Sequence, residues 1–213
     1  HFHLDDEEGR TFRIAVVGQE RASSEGHVSM EMRTKAIMNK ANGLSTINPH
    51  LRGTRDLLSL LFGAGGTDSM NIKAEPRAHV LDAFCLTNAT LCSAHKIVGG
   101  KVTTKGAPTD TMVSACHDHL KSILQILEPT VLVLQGEHAR QSTEQVLSLS
   151  LPFDSVIEAA IGNEPVLVCA LSHPTSHPSR PGQRHTGWGS ANTAYFRETI
   201  VPLMNDVRTR LLA

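Results

Sequence analysis

The sequence predicts an α/β fold: a three-layer sandwich whose short, mostly parallel central sheet is flanked by helices. Three observations carry that prediction. Four short runs of unbroken apolar residues punctuate the chain, and strands covered on both faces read as such runs rather than as alternation. Segments with apolar residues at helical spacing lie between them. Glycine or proline closes most of these runs and helices.

In chain order, residues 1–11 are charged and polar without periodicity and read as an N-terminal arm. The chain begins with His rather than Met, which reads as a trimmed start. Phe12 to Val17, closed by Gly18, is the first buried strand. A weak helical patch surrounds Met30 to Met38, and Arg55 to Phe62 is a compact helix stopped by the glycine-rich stretch 63–66. Ala78 to Ala89 holds the second apolar run, ending in Thr87-Asn88, and a polar loop follows from Ser93 to Asp110. Thr111 to Leu127 places Met112, Ala115, Leu120, Ile123, Leu124 and Leu127 at helical spacing, and Pro129 ends it. Thr130 to Leu134 is the third strand, Glu137 to Leu147 a helix, and Pro165 to Leu171 the fourth strand, running straight into His173-Pro174. A basic loop spans 175–190, and a last helix runs from about Ala191 to Leu212 with Pro202 as a kink or restart. There is no internal repeat, so the whole chain, 1–213, reads as one domain with its arm.

Composition excludes several classes. With 40% hydrophobic and 19% charged residues the chain is globular rather than disordered. No apolar run approaches the ~20 residues that cross a bilayer, so no membrane partner is expected. Twenty Lys and Arg against 21 Asp and Glu argue against charge-driven coating of nucleic acid and leave room only for a local basic patch. Four cysteines are too few for a disulfide framework. Cys85 and Cys169 sit in apolar runs and read as buried thiols, whereas Cys92 and Cys116 lie in polar surroundings and are candidate ligands. No signal peptide is read, so the cytoplasm is the expected compartment.

In parallel α/β sheets, ligands bind beyond the carboxyl ends of the strands. Those ends are Gly18-Gln19-Glu20, Thr87-Asn88, Gln135-Gly136 and Ser172-His173-Pro174. A carboxylate, an amide and an imidazole on neighbouring strand ends suit a polar heterocycle. The amide donates and accepts at once, the imidazole donates to a developing anion, and the carboxylate stabilises a cation or orients water. Residue types alone leave other readings open. Gln19 and Glu20 also suit a helix start, Asn88 a turn, and the loop after His173 an ordinary solvated surface. Many hydrolases fit this chemistry, although no Gly-x-Ser-x-Gly elbow is present.

Order and spacing narrow the choice. VVGQE, TNATLC, ACHDHL, LEPTVLVLQGEHA and SHPTSHPS follow one another along the chain. Together they resemble the uracil-DNA glycosylase superfamily over roughly residues 12 to 205. The stretch from Cys116 to Ala139 is most similar to its thermostable iron–sulfur branch, family 4, with Gln135 where that branch has Leu. The first motif of the superfamily is Gly-Gln-Asp-Pro-Tyr in its principal enzymes and Gly-Glu-Ala-Pro-Gly in family 4. Here it reads Gly18-Gln19-Glu20-Arg21-Ala22. The resemblance implies that Glu20 stands for the water-orienting Asp and Gln19 for the family 4 Glu. The Pro has no counterpart, and neither does the Tyr that excludes thymine. Asn88 matches the Asn that reads the uracil edge. His173 matches the His that donates to uracil O2, with Thr175 in place of Ser. A second His-Pro-Ser at His177 to Ser179 competes with it, but His173 directly follows a strand. The wedge loop would then supply His177, Ser179, Arg180 and Arg184, with Trp188 nearby, for phosphate contact and stacking. Counting back from Leu57-Leu58, as family 4 counts to its stacking Phe, lands on Pro49-His50, which makes His50 the stacking ring.

The resemblance also implies a cofactor. Cys92 and Cys116 match the third and fourth ligands of a 4Fe–4S cluster, and the first two would be an upstream Cys pair that this sequence lacks. Two thiolates alone do not hold such a cluster. Zinc with His95, His117 or His119, or two reduced structural thiols, are the alternatives. The expected activity is hydrolysis of the N-glycosidic bond of uracil, or a related damaged base, flipped out of single- or double-stranded DNA by a monomer. A homologue that binds or covalently traps such DNA without turnover is the alternative, and another α/β hydrolase the third.

Overall fold

A computed structural model describes residues 3–5, 11–18, 49–62, 71–72, 78–80, 83–90, 96–98, 101–103, 109–175, 187–189 and 193–213. The Met30 to Met38 patch, the glycine-rich stretch 63–66 and the loop 176–186 lie outside them. The strands are β1 (His3–Asp5), β2 (Thr11–Gly18), β3 (Asn71–Ile72), β4 (Ala78–His79), β5 (Cys85–Asn88), β6 (Lys96–Val98), β7 (Lys101–Thr103), β8 (Val131–Gln135), β9 (Ser155–Ile161) and β10 (Glu164–Leu171). The helices are α1 (Pro49–Leu61), α2 (Asp110–Leu127), α3 (Glu137–Leu147) and α4 (Val201–Leu212), the last entered through a π-helical turn at Phe196–Ile200. Among these elements, no helix is long and apolar enough to cross a membrane.

The α/β sandwich is present. β5, β2, β8 and β10 pair in parallel, and β9 and β1 add antiparallel partners to β10 and to the start of β2. The unbroken apolar runs follow from burial on both faces. Ile14, Val16, Val131, Val133, Cys169 and Leu171 pack on Leu57, Leu58 and Leu61 of α1 and Met204 and Val207 of α4. Ala15, Val17, Leu132, Leu134, Val168 and Ala170 face Leu120 and Leu124 of α2 and Ala139 of α3. Alternate residues of each strand therefore serve opposite cores.

Local chemistry sets the boundaries. Thr109 caps α2 by accepting the Met112 N–H at 3.2 Å, and Glu128 ends it in the left-handed region at φ 43°. Pro202 sits in the first turn of α4, directly after the π-helical turn Phe196–Ile200, inside one continuous helical run.

Several expectations need correction. The stretch from Ser93 to Asp110, expected as a polar loop, contains the β6–β7 hairpin. The arm contains a strand, because His3–Asp5 pair with Thr11–Arg13. The expected run from Ala78 to Ala89 divides into β4 and β5, on separate sheets. Strand β9 was not expected. It is an edge strand whose residues alternate in exposure, so it lacks an unbroken apolar run. A Gly162-Asn163 turn, with Gly162 at φ 63°, joins it to β10, and such a pair is a hairpin signal in its own right.

Candidate functional site

Strand register brings the carboxyl ends of the parallel strands into one row. Gly18 of β2 pairs with Asn88 of β5, Val17 with Leu134 of β8, and Gln135 with Leu171 of β10. His173 follows Leu171 by two residues, so four strands deliver their last side chains to one rim. The first turn of α1 supplies a fifth group. A Cβ placed on Gly18 would lie 3.3 Å from Asn88 Oδ1 and 3.7 Å from His50 Nε2, so both side chains converge on the Gly18 backbone. The His50 and His173 rings stand 5.2 Å apart, tilted by 31°. Gly18, His50, Asn88 and His173, four of the residues picked out in the sequence, thus form one cluster.

A buried polar link seats His50. Gln135 is fully buried at the end of β8 and donates from Nε2 to Thr54 Oγ1 at 3.0 Å. Thr54 in turn donates to the His50 carbonyl at 3.1 Å. The Gln135 amide thereby anchors the first turn of α1 over the sheet. Its Oε1 has no partner among the described residues.

His173 is fixed in one protonation state by its neighbours. The backbone N–H of Thr175 donates to Nδ1 at 3.1 Å, and the Thr175 hydroxyl lies 2.8 Å from the same atom. An N–H donor leaves Nδ1 no proton, so in the neutral ring the proton resides on Nε2. Burial, aided by the charge of His50, lowers the His173 pKa to about 4. At neutral pH His173 is an uncharged Nε2–H donor. The same bond argues against metal ligation through Nε2. A ligating imidazole needs its other nitrogen to donate, and here that nitrogen accepts.

The peptide ahead of His173 is held from two sides. The Trp188 indole N–H donates to the Ser172 carbonyl at 2.5 Å. The Ser172 N–H donates to Tyr195 Oη at 3.1 Å, and the Tyr195 hydroxyl donates to Asp154 Oδ1. Trp188 is 0% exposed and also packs on Gly53. This corrects the expectation that Trp188 helps to stack bases: its ring is core.

Gln19, Glu20, Cys92, His177, Ser179, Arg180 and Arg184 lie outside the described residues. Cys116 is buried on α2 in line with Leu120 and Leu124, the sheet-facing stripe of that helix. Among the described residues no three His, Cys, Asp or Glu side chains gather as a metal site. Those residues do not by themselves form a cluster site, and no step below depends on one. Cys169 is buried, and burial pushes its thiol up to about 12, while Cys85 is half-buried.

Sequence reasoning missed the Thr175 lock on His173 and the Trp188–Ser172–Tyr195 arrangement. For Thr175 a signal existed: a hydroxyl residue two positions after a His is placed for a local turn. The Trp188 and Tyr195 contacts are long-range and left no local trace. Comparison with protein-family models found no match, and comparison with curated proteins found none either.

Proposed function

We propose that this chain is a DNA glycosylase-like protein that binds a flipped uracil, or a related damaged base, and hydrolyses its N-glycosidic bond. The observation that carries the reading is the state of His173: a neutral imidazole presenting Nε2–H beside an amide and a second aromatic ring. Asn88 reads paired donor and acceptor groups on the base edge, and His50 stacks on its face. As the C1′–N1 bond breaks, its electron pair leaves with the base, and negative charge develops on the carbonyl that accepts from His173. The sugar becomes an oxocarbenium ion, Glu20 stabilises that cation and orients water, and water oxygen bonds to C1′ while its proton passes to Glu20. Each preorganised donor of this kind is worth about 3 kcal/mol in the transition state. On this reading the partner is uracil-containing DNA, gripped locally by the basic loop, so binding weakens steeply with salt.

Single-turnover excision on uracil-containing DNA tests the proposal. His173→Ala and Glu20→Gln are each expected to slow release of the free base more than tenfold. Wild-type rates in both variants would refute it. A second reading drops the turnover and keeps the pocket. It is favoured by His50, an imidazole where the resemblance places Phe. An SDS-stable protein–DNA adduct would mark a trap, and a mobility shift without base release would mark a binder.

A further inference from the structure

We propose that Trp188 and Tyr195 are positioning residues that grip the two peptide units flanking Ser172 and so set where the His173 ring stands relative to His50. Trp188 acts at both ends of that pair. Its N–H holds the Ser172 carbonyl, one residue ahead of His173, at 2.5 Å. Its six-membered ring lies against Gly53, three residues after His50 on the same helix, so closely that a Cβ there would come within 2.8 Å of Cζ3. One rigid, buried side chain therefore spans the two elements that carry the imidazoles. Tyr195 takes the other side of Ser172, accepting its N–H at 3.1 Å while donating to Asp154. Asp154 is itself fixed, its N–H donating to the Ala170 carbonyl at 2.8 Å. The Gly189 N–H donates to the Pro174 carbonyl at 2.9 Å, so the backbone on both sides of His173 is tied to the Trp188 segment.

Both peptide units leading to His173 are held by these two side chains. Interactions that lock a reacting group within fractions of an ångström are what orientation effects need. A merely structural tryptophan would make the hydrophobic contacts with Gly53 and Phe196 and would leave the imidazole indifferent to its N–H.

The test uses the full chain without DNA and reads the ring directly. Nitrogen-15 NMR of the histidine side chains reports the tautomer and titration midpoint of His173, assigned by its loss in His173→Gln. Trp188→Phe removes the N–H together with part of the ring area that faces Gly53. Tyr195→Phe removes only the hydroxyl. In each, loosening of the His173 peptide admits water, so the midpoint is expected to move upward by about one pH unit from its value near 4, and the pure Nε2–H signature to become mixed. A midpoint and tautomer identical to wild type in both folded variants would overturn the proposal. If Trp188→Phe does not fold, Tyr195→Phe decides alone by the same two outcomes. Because the readout is in the free protein, it stands whether or not the chain excises uracil. Wild-type excision rates in both His173→Ala and Glu20→Gln would sink the function while leaving this grip intact.

Discussion

Gly53→Ala sets two known effects against each other, and its sign tests the packing argument. Gly53 is inside α1, where alanine is favoured over glycine by up to about 1 kcal/mol. Propensity alone therefore predicts a stabilised protein. The structure predicts the reverse. The new Cβ would sit 2.8 Å from Trp188 Cζ3, 2.9 Å from Cε3 and 3.3 Å from the Gly189 Cα. The indole cannot swing away cheaply, because it is fully buried and held by its bond to the Ser172 carbonyl. Overpacking of this kind costs about 1–3 kcal/mol, and rigidity places this site in the upper part of that range. A net loss of about 1–2 kcal/mol is expected, lowering Tm by roughly 2–8 °C for a chain of this length. Urea and thermal unfolding of wild type, Gly53→Ala, Trp188→Leu and the double variant complete a cycle. With the indole gone, alanine at 53 should become stabilising. A Gly53→Ala protein more stable than wild type by about 1 kcal/mol would refute the reasoning, since it would mean the helix and indole separate without penalty.

Two further outcomes follow from buried polar groups. Gln135→Leu removes an amide whose Oε1 is buried without a described partner, while Thr54 keeps its bond to the His50 carbonyl. Stability should be unchanged or higher by about 1 kcal/mol; a loss larger than that in urea unfolding would show that the oxygen is satisfied by a buried water. His173 links stability to pH. Its folded pKa of about 4 lies below the ordinary 6.5, so between these values the unfolded chain binds a proton that the folded chain refuses. Its contribution is full above pH 6.5 and declines as pH falls towards 4, by up to about 3 kcal/mol. Unfolding at pH 7 and pH 4.5 should show a smaller difference in His173→Gln than in wild type, and equal differences would contradict the assignment.

What could be read from the sequence follows how local each cause is. β2, β8 and β10 were legible because burial on both faces leaves an unbroken apolar run. Helix α1 was placed too late in the chain, at Arg55. Its first six residues, Pro49 to Thr54, hold Leu51 as the one apolar side chain beside a proline, a histidine, an arginine, a glycine and a threonine, too little to report an apolar face. Two of those residues are there for reasons that lie far away. Gly53 makes room for Trp188, and Thr54 bonds to Gln135. Trp188 was misread for the converse reason: a tryptophan in a basic, glycine-rich loop looks accessible until its contacts with α1 are known. Gly18, Asn88 and His173 lie along one rim because strand ends follow a topological rule, whereas His50, singled out through the family resemblance, reaches the same rim from α1. The bond that fixes the tautomer of His173 was not legible, because it depends on the backbone conformation after Pro174.

That tautomer constrains the chemistry more than the residue types do. With its pKa lowered to about 4, mainly by burial, His173 is neutral at pH 7. A ring that stays neutral is a poor general acid and a good hydrogen-bond donor. It suits a leaving group that departs as an anion, with charge on a carbonyl oxygen, and offers little to one that must be protonated before it leaves. On the proposed reading this favours pyrimidine-dione bases over adenine-like ones, without any contact that inspects the base itself. His50 strengthens the preference. A phenylalanine there would stack at least as well, but the charge of His50 works with burial to keep its neighbour neutral. On the proposed reading the second imidazole therefore acts on the first as well as on the base, and the pair would favour anionic departure through electrostatics.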